Sequence, residues 1–141
     1  MSSTQYGKYI LKETGKTKHD PETSPITPII LEGLEDWGGI QHRMNWSFVS
    51  KPTVIEDEPH SHDFDEFICF LSRDPTDELG FQAEAELSLG REGEIQTIKS
   101  PSIVCIPEGL IHGPLNFKKV EKPVFLVRIY TAPEYITKPV S

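Results

Sequence analysis

The chain has 141 residues and carries 14 lysines and arginines against 22 aspartates and glutamates, a net charge of −8. That length is one domain's worth, and the acidity argues against a nucleic-acid surface, because phosphate binding needs a basic patch and none is visible. No apolar run is long enough to span a membrane, and the first residues lack the apolar core of a signal peptide, so a cytoplasmic protein is expected.

Twelve prolines and ten glycines punctuate the chain at short intervals, which favours many short strands over long helices. Residues 1–24 are polar and charged, with a short strand expected at Tyr6, Tyr9, Ile10 and Leu11, and His19 in a solvated loop. Ile26, Ile29, Ile30 and Leu31 form a second apolar segment, and Gly33, Gly38 and Gly39 mark turns around Trp37. From Ile40 to Val49 the pattern alternates: His42, Met44, Trp46 and Phe48 share one face, Arg43, Asn45, Ser47 and Val49 the other. The first face has the look of a buried one. If it faces inward, His42 is a candidate general acid or base and Trp46 a candidate substrate contact. If the second does, Arg43 is placed to hold a substrate carboxylate. The alternation does not choose between them.

Glu56-Asp57-Glu58 reads as a solvated acidic loop. His60-Ser-His-Asp-Phe-Asp-Glu66 follows. On one extended strand His60, His62 and Glu66 point the same way, and two neutral imidazoles with a carboxylate suit a divalent transition metal. Asp63 and Asp65 have the opposite parity and are expected to face solvent or a neighbouring strand. Phe67, Cys69 and Leu71 alternate with Glu66, Ile68 and Phe70, so this strand is expected to pack on both faces, with Cys69 and Cys105 as buried, reduced thiols. Phe81 to Leu89 alternates as a half-exposed strand, and Gly90-Arg-Glu-Gly93 turns it back into Glu94–Ile98. Ser102 to Ile106 leads to Pro107-Glu-Gly-Leu-Ile-His112, where Pro107 and Gly109 mark a tight turn presenting His112, the best candidate for a fourth ligand. Val124 to Tyr130 is the last clear strand, and Arg128 within it is a second candidate for anchoring substrate.

These two stretches resemble the paired motifs of the cupin family. His60, His62 and Glu66 match HxH followed after three residues by Glu; Pro107, Gly109, His112 and Asn116 match PxGxxH followed after three residues by Asn. Val54, Pro101 and Arg73 stand where the family's glycines fall, and the long spacer from Glu66 to Pro107 implies an enlarged hairpin near Asp74–Gly80.

The resemblance implies an all-β fold, a jelly-roll β-barrel of antiparallel strands over residues 25–131, flanked by an N-terminal segment 1–24 and a tail 132–141. It implies one divalent transition metal (Fe, Mn, Ni, Co or Zn) held by His60, His62, Glu66 and His112. It also suggests a homodimer through an exchanged N-terminal strand. The expected function is a metal-dependent enzyme acting on a small anionic metabolite, with dioxygenase-like chemistry preferred. The alternatives are a metal-dependent decarboxylase, isomerase or lyase, and a barrel that binds a small ligand without turnover.

Overall fold

The computed structural model describes residues 5–6, 9–10, 29–32, 41–73, 76, 80–132 and 136–140. The strands are β1 (Ile29–Glu32), β2 (Arg43–Val49), β3 (Thr53–Glu56), β4 (His60–Ser61), β5 (Glu66–Ser72), β6 (Ala83–Leu89), β7 (Glu94–Ile98), β8 (Ser102–Ile106), β9 (His112–Val120), β10 (Val124–Tyr130) and β11 (Lys138–Pro139). The pairings are antiparallel. One sheet runs β1-β2-β10-β5-β8; the other runs β11-β4-β9-β6-β7, with β3 also paired to β9.

All-β, antiparallel architecture is therefore as expected, but the closed jelly-roll barrel is not what forms. Among the described residues no hydrogen-bonded ladder joins a strand of one sheet to a strand of the other. Closure needs continuous pairing around the circumference. Here β4 is two residues long, and the chain leaves strand conformation between Ser61 and Glu66 as it passes from one sheet to the other. The result is two facing sheets.

Inward-facing residues of the five-stranded sheet are graded. At one end Arg43 lies opposite Tyr130, and Tyr130 opposite Glu66. The next inward pair is Asn45 and Arg128. Further along, Leu126 meets Phe70 and joins Val49, Ile68, Leu115 and Phe117 in the apolar core. The interior is thus polar at one end and dry at the other. For β2 the structure settles the face: Asn45, Ser47 and Val49 are buried, while Phe48 is 51% exposed. Apolar content misleads there because this sheet is apolar on its outside too. Trp46, Phe48, Phe67, Ile103, Phe125 and Val127 all lie on that outer face by strand alternation. Cys69 and Cys105 sit on it as well; both are free thiols, and Cys105 is exposed where a buried thiol was expected.

The Gly90–Gly93 turn closes the β6–β7 hairpin, with φ of +83° and +67° at its two glycines. Tyr6, Tyr9 and Ile10 are exposed and form no strand among the described residues. Leu11, His19, Ile26, Trp37 and most of the expected Asp74–Gly80 hairpin lie outside them. Among the described residues no helix is long and apolar enough to cross a membrane.

Candidate metal centre

His60, His62 and His112 form one buried cluster whose ligand atoms all lie within 4.8 Å of one another. They do not share a strand with Glu66. His60 is in β4, directly opposite His112 in β9, so both project from the six-stranded sheet. His62 sits just past β4, in the crossing, and Glu66 opens β5 in the other sheet. The expected single strand from His60 to Glu66 is really a corner. It brings ligands to the centre from both sheets.

That corner is pinned by its own polar groups. Asp65 N–H donates to Thr131 Oγ1 at 3.0 Å, and Asp65 O accepts from Thr131 N–H at 3.0 Å. Glu108 N–H donates to Asp65 Oδ1 at 2.9 Å, and Gly109 N–H donates to His62 O at 2.9 Å. The first motif's corner and the second motif's turn are thereby tied together. Asp65 faces that turn rather than open solvent alone.

Each imidazole is oriented by a main-chain carbonyl. Nδ1 of His60 meets Glu58 O at 3.0 Å, that of His62 meets Ile136 O at 2.7 Å, and that of His112 meets Leu110 O at 2.9 Å. A carbonyl only accepts, so each Nδ1 carries the proton and each Nε2 presents a lone pair. This is how metal-ligating histidines are usually held. Ile136 belongs to the C-terminal segment, whose Lys138–Pro139 pair with β4.

Two of the lone pairs face Glu66, whose side chain is fully buried: Oε1 lies 3.4 Å from His62 Nε2 and 3.3 Å from His112 Nε2. Nε2 of His60 and His112 and both Glu66 oxygens are buried with no hydrogen bond. Acceptors facing acceptors in a dry pocket cost free energy unless a cation sits among them. Burial would raise the Glu66 pKa, but the His112 and His62 side chains outweigh it and hold the carboxyl at about 2. Burial likewise works against charge on His112, yet Glu66 and the Leu110 carbonyl lift its pKa above the usual value. The donor set fits one divalent ion, three imidazoles and a carboxylate with positions left open.

Phe64 stacks on His62 with centroids 4.6 Å apart, and Tyr130 stands edge-on to both rings. Tyr130 is completely buried, and desolvation pushes its phenol well above the normal range, so it stays protonated. Asn45 Nδ2 donates to its oxygen at 3.4 Å.

The candidates outside the ligand set are scattered. Arg128 Nε donates to Asn45 Oδ1, and Nη1 meets Glu56 Oε1, both at 3.1 Å. Arg43 is half-buried at the polar end, in register with Tyr130. His42 is buried just before β2 but is not a member of the histidine cluster. Trp46 lies on the outer sheet face, away from the centre.

Two residues of the site were not legible beforehand. Glu56 was read as part of a solvated loop; its side chain is only 12% exposed, and Oε2 is 3.3 Å from His60 Nε2. A β-bulge between Val54 and Glu56 is the reason. Val54 points out and Ile55 packs against the core, so regular alternation would turn Glu56 outward again. The bulge re-aims it inward. The other is Gly113, whose φ is +96° and where a Cβ would come within 2.8 Å of Glu58 O. A glycine directly after the motif histidine was the available signal.

Fold and site together define a single small domain that resembles the cupin fold and carries a three-histidine cluster, with a glutamate beside it, able to hold one divalent ion. Solved structures share this fold. A tryptophan-to-tyrosine variant of oxalate decarboxylase from Bacillus subtilis aligns over 89% of this chain and 29% of its own, at 12% identity and a TM-score of 0.59. An oxalate oxidase aligns over 99% of this chain and 66% of its own, at 13% identity and a TM-score of 0.58. A recombinant oxalate oxidase in complex with glycolate aligns over 93% and 63%, at 17% identity and a TM-score of 0.56. The chain spans about three tenths of the decarboxylase chains. At these identities the likeness is one of fold. No family model matches the sequence, and no curated protein does.

Proposed function

We propose that this protein is a metal-dependent enzyme acting on a small carboxylate, with decarboxylase- or oxidase-type chemistry in place of the dioxygenase chemistry first expected. The observation that carries the reading is the buried cluster of three imidazoles with Glu66 beside two of them. Support for the reaction type comes from the oxalate decarboxylase and oxidase structures that share the fold. When bound, a divalent ion supplies Lewis acidity to a coordinated carboxylate. The chain's own part is to orient the imidazoles through main-chain acceptors, to exclude water with Phe64 and Tyr130, and to offset anionic charge with Arg43 and Arg128 at the polar end of the interior.

The test is elemental analysis of the untagged protein beside His62→Ala, followed by incubation with oxalate. About one metal per chain, lost in the variant, with carbon dioxide and formate released, establishes a decarboxylase. Carbon dioxide with hydrogen peroxide establishes an oxidase. One metal per chain with no turnover of oxalate or other small carboxylates defeats the enzyme reading in favour of a ligand-binding one.

We also infer a homodimer, formed across the outer face of the five-stranded sheet. Phe48, Phe67 and Ile103 there are 51%, 37% and 62% exposed. Two chains of net charge −8 repel over most of their surfaces, and the strand residues of this face carry no charge. Ile103→Lys is expected to convert the dimer to monomer in sedimentation; a wild-type monomer at micromolar concentration refutes it.

A further inference from the structure

We propose that Glu56 is a second carboxylate of the metal centre, held at the ion by Arg128. The inference rests on the metal reading above and adds a residue that neither motif contains.

The argument is one of spacing. Two atoms bound to the same ion at about 2.1 Å and at right angles lie roughly 3 Å apart. Glu66 Oε1 stands 3.4 Å from His62 Nε2 and 3.3 Å from His112 Nε2. Glu56 Oε2 stands 3.3 Å from His60 Nε2, the third imidazole of the cluster. Each carboxylate thus stands at about that spacing from an imidazole of the cluster: Glu66 beside two of them, His62 and His112, and Glu56 beside His60 alone. His60 Nδ1 is already committed to Glu58 O, so the atom facing Glu56 is the lone-pair-bearing Nε2. Both side chains are largely shut off from solvent, and two acceptors at this distance suit a cation between them.

Arg128 explains why the carboxylate stays. It comes from the opposite sheet, takes Glu56 Oε1 at 3.1 Å through Nη1, and is itself held by Asn45 through Nε. The ion pair engages Oε1, while Oε2 lies 3.3 Å from His60 Nε2. The β3 bulge and Arg128 are two independent devices that place one oxygen at the centre. Arg128 is then a positioning residue for Glu56.

The experiment compares Mn(II) binding to the full chain, to Glu56→Gln and to His62→Ala by competition with a chelator, with the electron paramagnetic resonance spectrum of each loaded protein. Glu56→Gln keeps the shape and an acceptor for Arg128, and its metal-free melting temperature reports any purely structural loss. The expected result is one Mn(II) per wild-type chain, binding abolished in His62→Ala, and affinity at least ~10-fold weaker in Glu56→Gln with an altered spectrum. Should Glu56→Gln fail to fold, Glu56→Asp keeps the charge but draws the oxygen back from His60, and the same weakening is expected. Wild-type affinity and an unchanged spectrum in the Glu56 variant overturn the role while leaving the centre intact. A wild-type chain that binds no Mn(II) overturns the centre itself, and this role with it.

Discussion

His60 and His112 are directly opposed residues of the β4–β9 ladder, with ring centroids 4.3 Å apart and planes inclined by 60°. Two imidazoles so close, both protonated on the nitrogen turned to the main chain, make the ladder itself a chelating element. His112→Ala is expected to remove metal binding while the sheets persist. Saturating metal at 100 times its dissociation constant stabilises a folded protein by about 2.7 kcal/mol. Thermal melts with and without Mn(II) should show that increment in the wild type and none in the variant.

Gly113 carries a prediction about backbone approach. A Cβ at this position meets Glu58 O at 2.8 Å, and that carbonyl is the acceptor for His60 Nδ1. Gly113→Ala adds strain at a φ of +96° as well. A loss of about 1–3 kcal/mol in urea unfolding is expected, together with weaker metal binding. Unchanged metal affinity would show that the His60 ring finds its orientation without Glu58.

The C-terminal segment is predicted to matter for metal more than for folding. It contributes a two-residue strand and Ile136 O, the acceptor for His62 Nδ1. Deleting residues 136–141 is expected to weaken metal affinity ~10- to 100-fold, the usual effect of removing such a partner, with the bulk of the core unaffected. Competition with a chelator measures it.

Acid and metal should pull in opposite directions. In the metal-free protein the Glu66 carboxyl is held at about 2, below its ordinary 4.5, by His112 and His62 against the effect of burial. Its contribution to stability is present above about pH 4.5 and is lost as pH falls toward 2. The His112 pKa is raised above 6.5 by Glu66 despite burial, so its contribution is full below pH 6.5 and is lost as pH rises through the folded-state value. The metal-free protein therefore draws most from this pair between about pH 4.5 and 6.5. Metal requires the same nitrogens deprotonated, so the loaded protein gains as pH rises through neutrality. Melting temperatures from pH 4 to 8 should fall for one form over the upper half of the range and rise for the other.

Much of the centre was legible because its ligands are a spacing pattern and histidine is scarce: His60, His62, Glu66 and His112 cluster where the two motifs put them. The route to that cluster was not legible. A period of two describes a straight strand, and the chain is not straight at either decisive place. It bulges at Val54–Glu56 and turns a corner between Ser61 and Glu66. The inward face of β2 was hidden for a different reason. Trp46 and Phe48 are more apolar than Asn45 and Ser47, yet the interior is polar at that end because Arg128 and Tyr130 need partners. Closure of the barrel depends on whether edge strands find each other, and no residue type reports that.

The three carbonyls behind the imidazoles, of Glu58, Leu110 and Ile136, have a consequence for how this protein can change over time. A main-chain oxygen has no codon of its own. Point substitutions at those three positions alter the side chain and leave the acceptor in place, whereas an inserted or deleted residue shifts it by up to about 3.6 Å along the chain and leaves the ring it held without support. The centre is therefore tolerant of drift in spelling and intolerant of drift in length, in the stretches on either side of His60, His112 and Ile136.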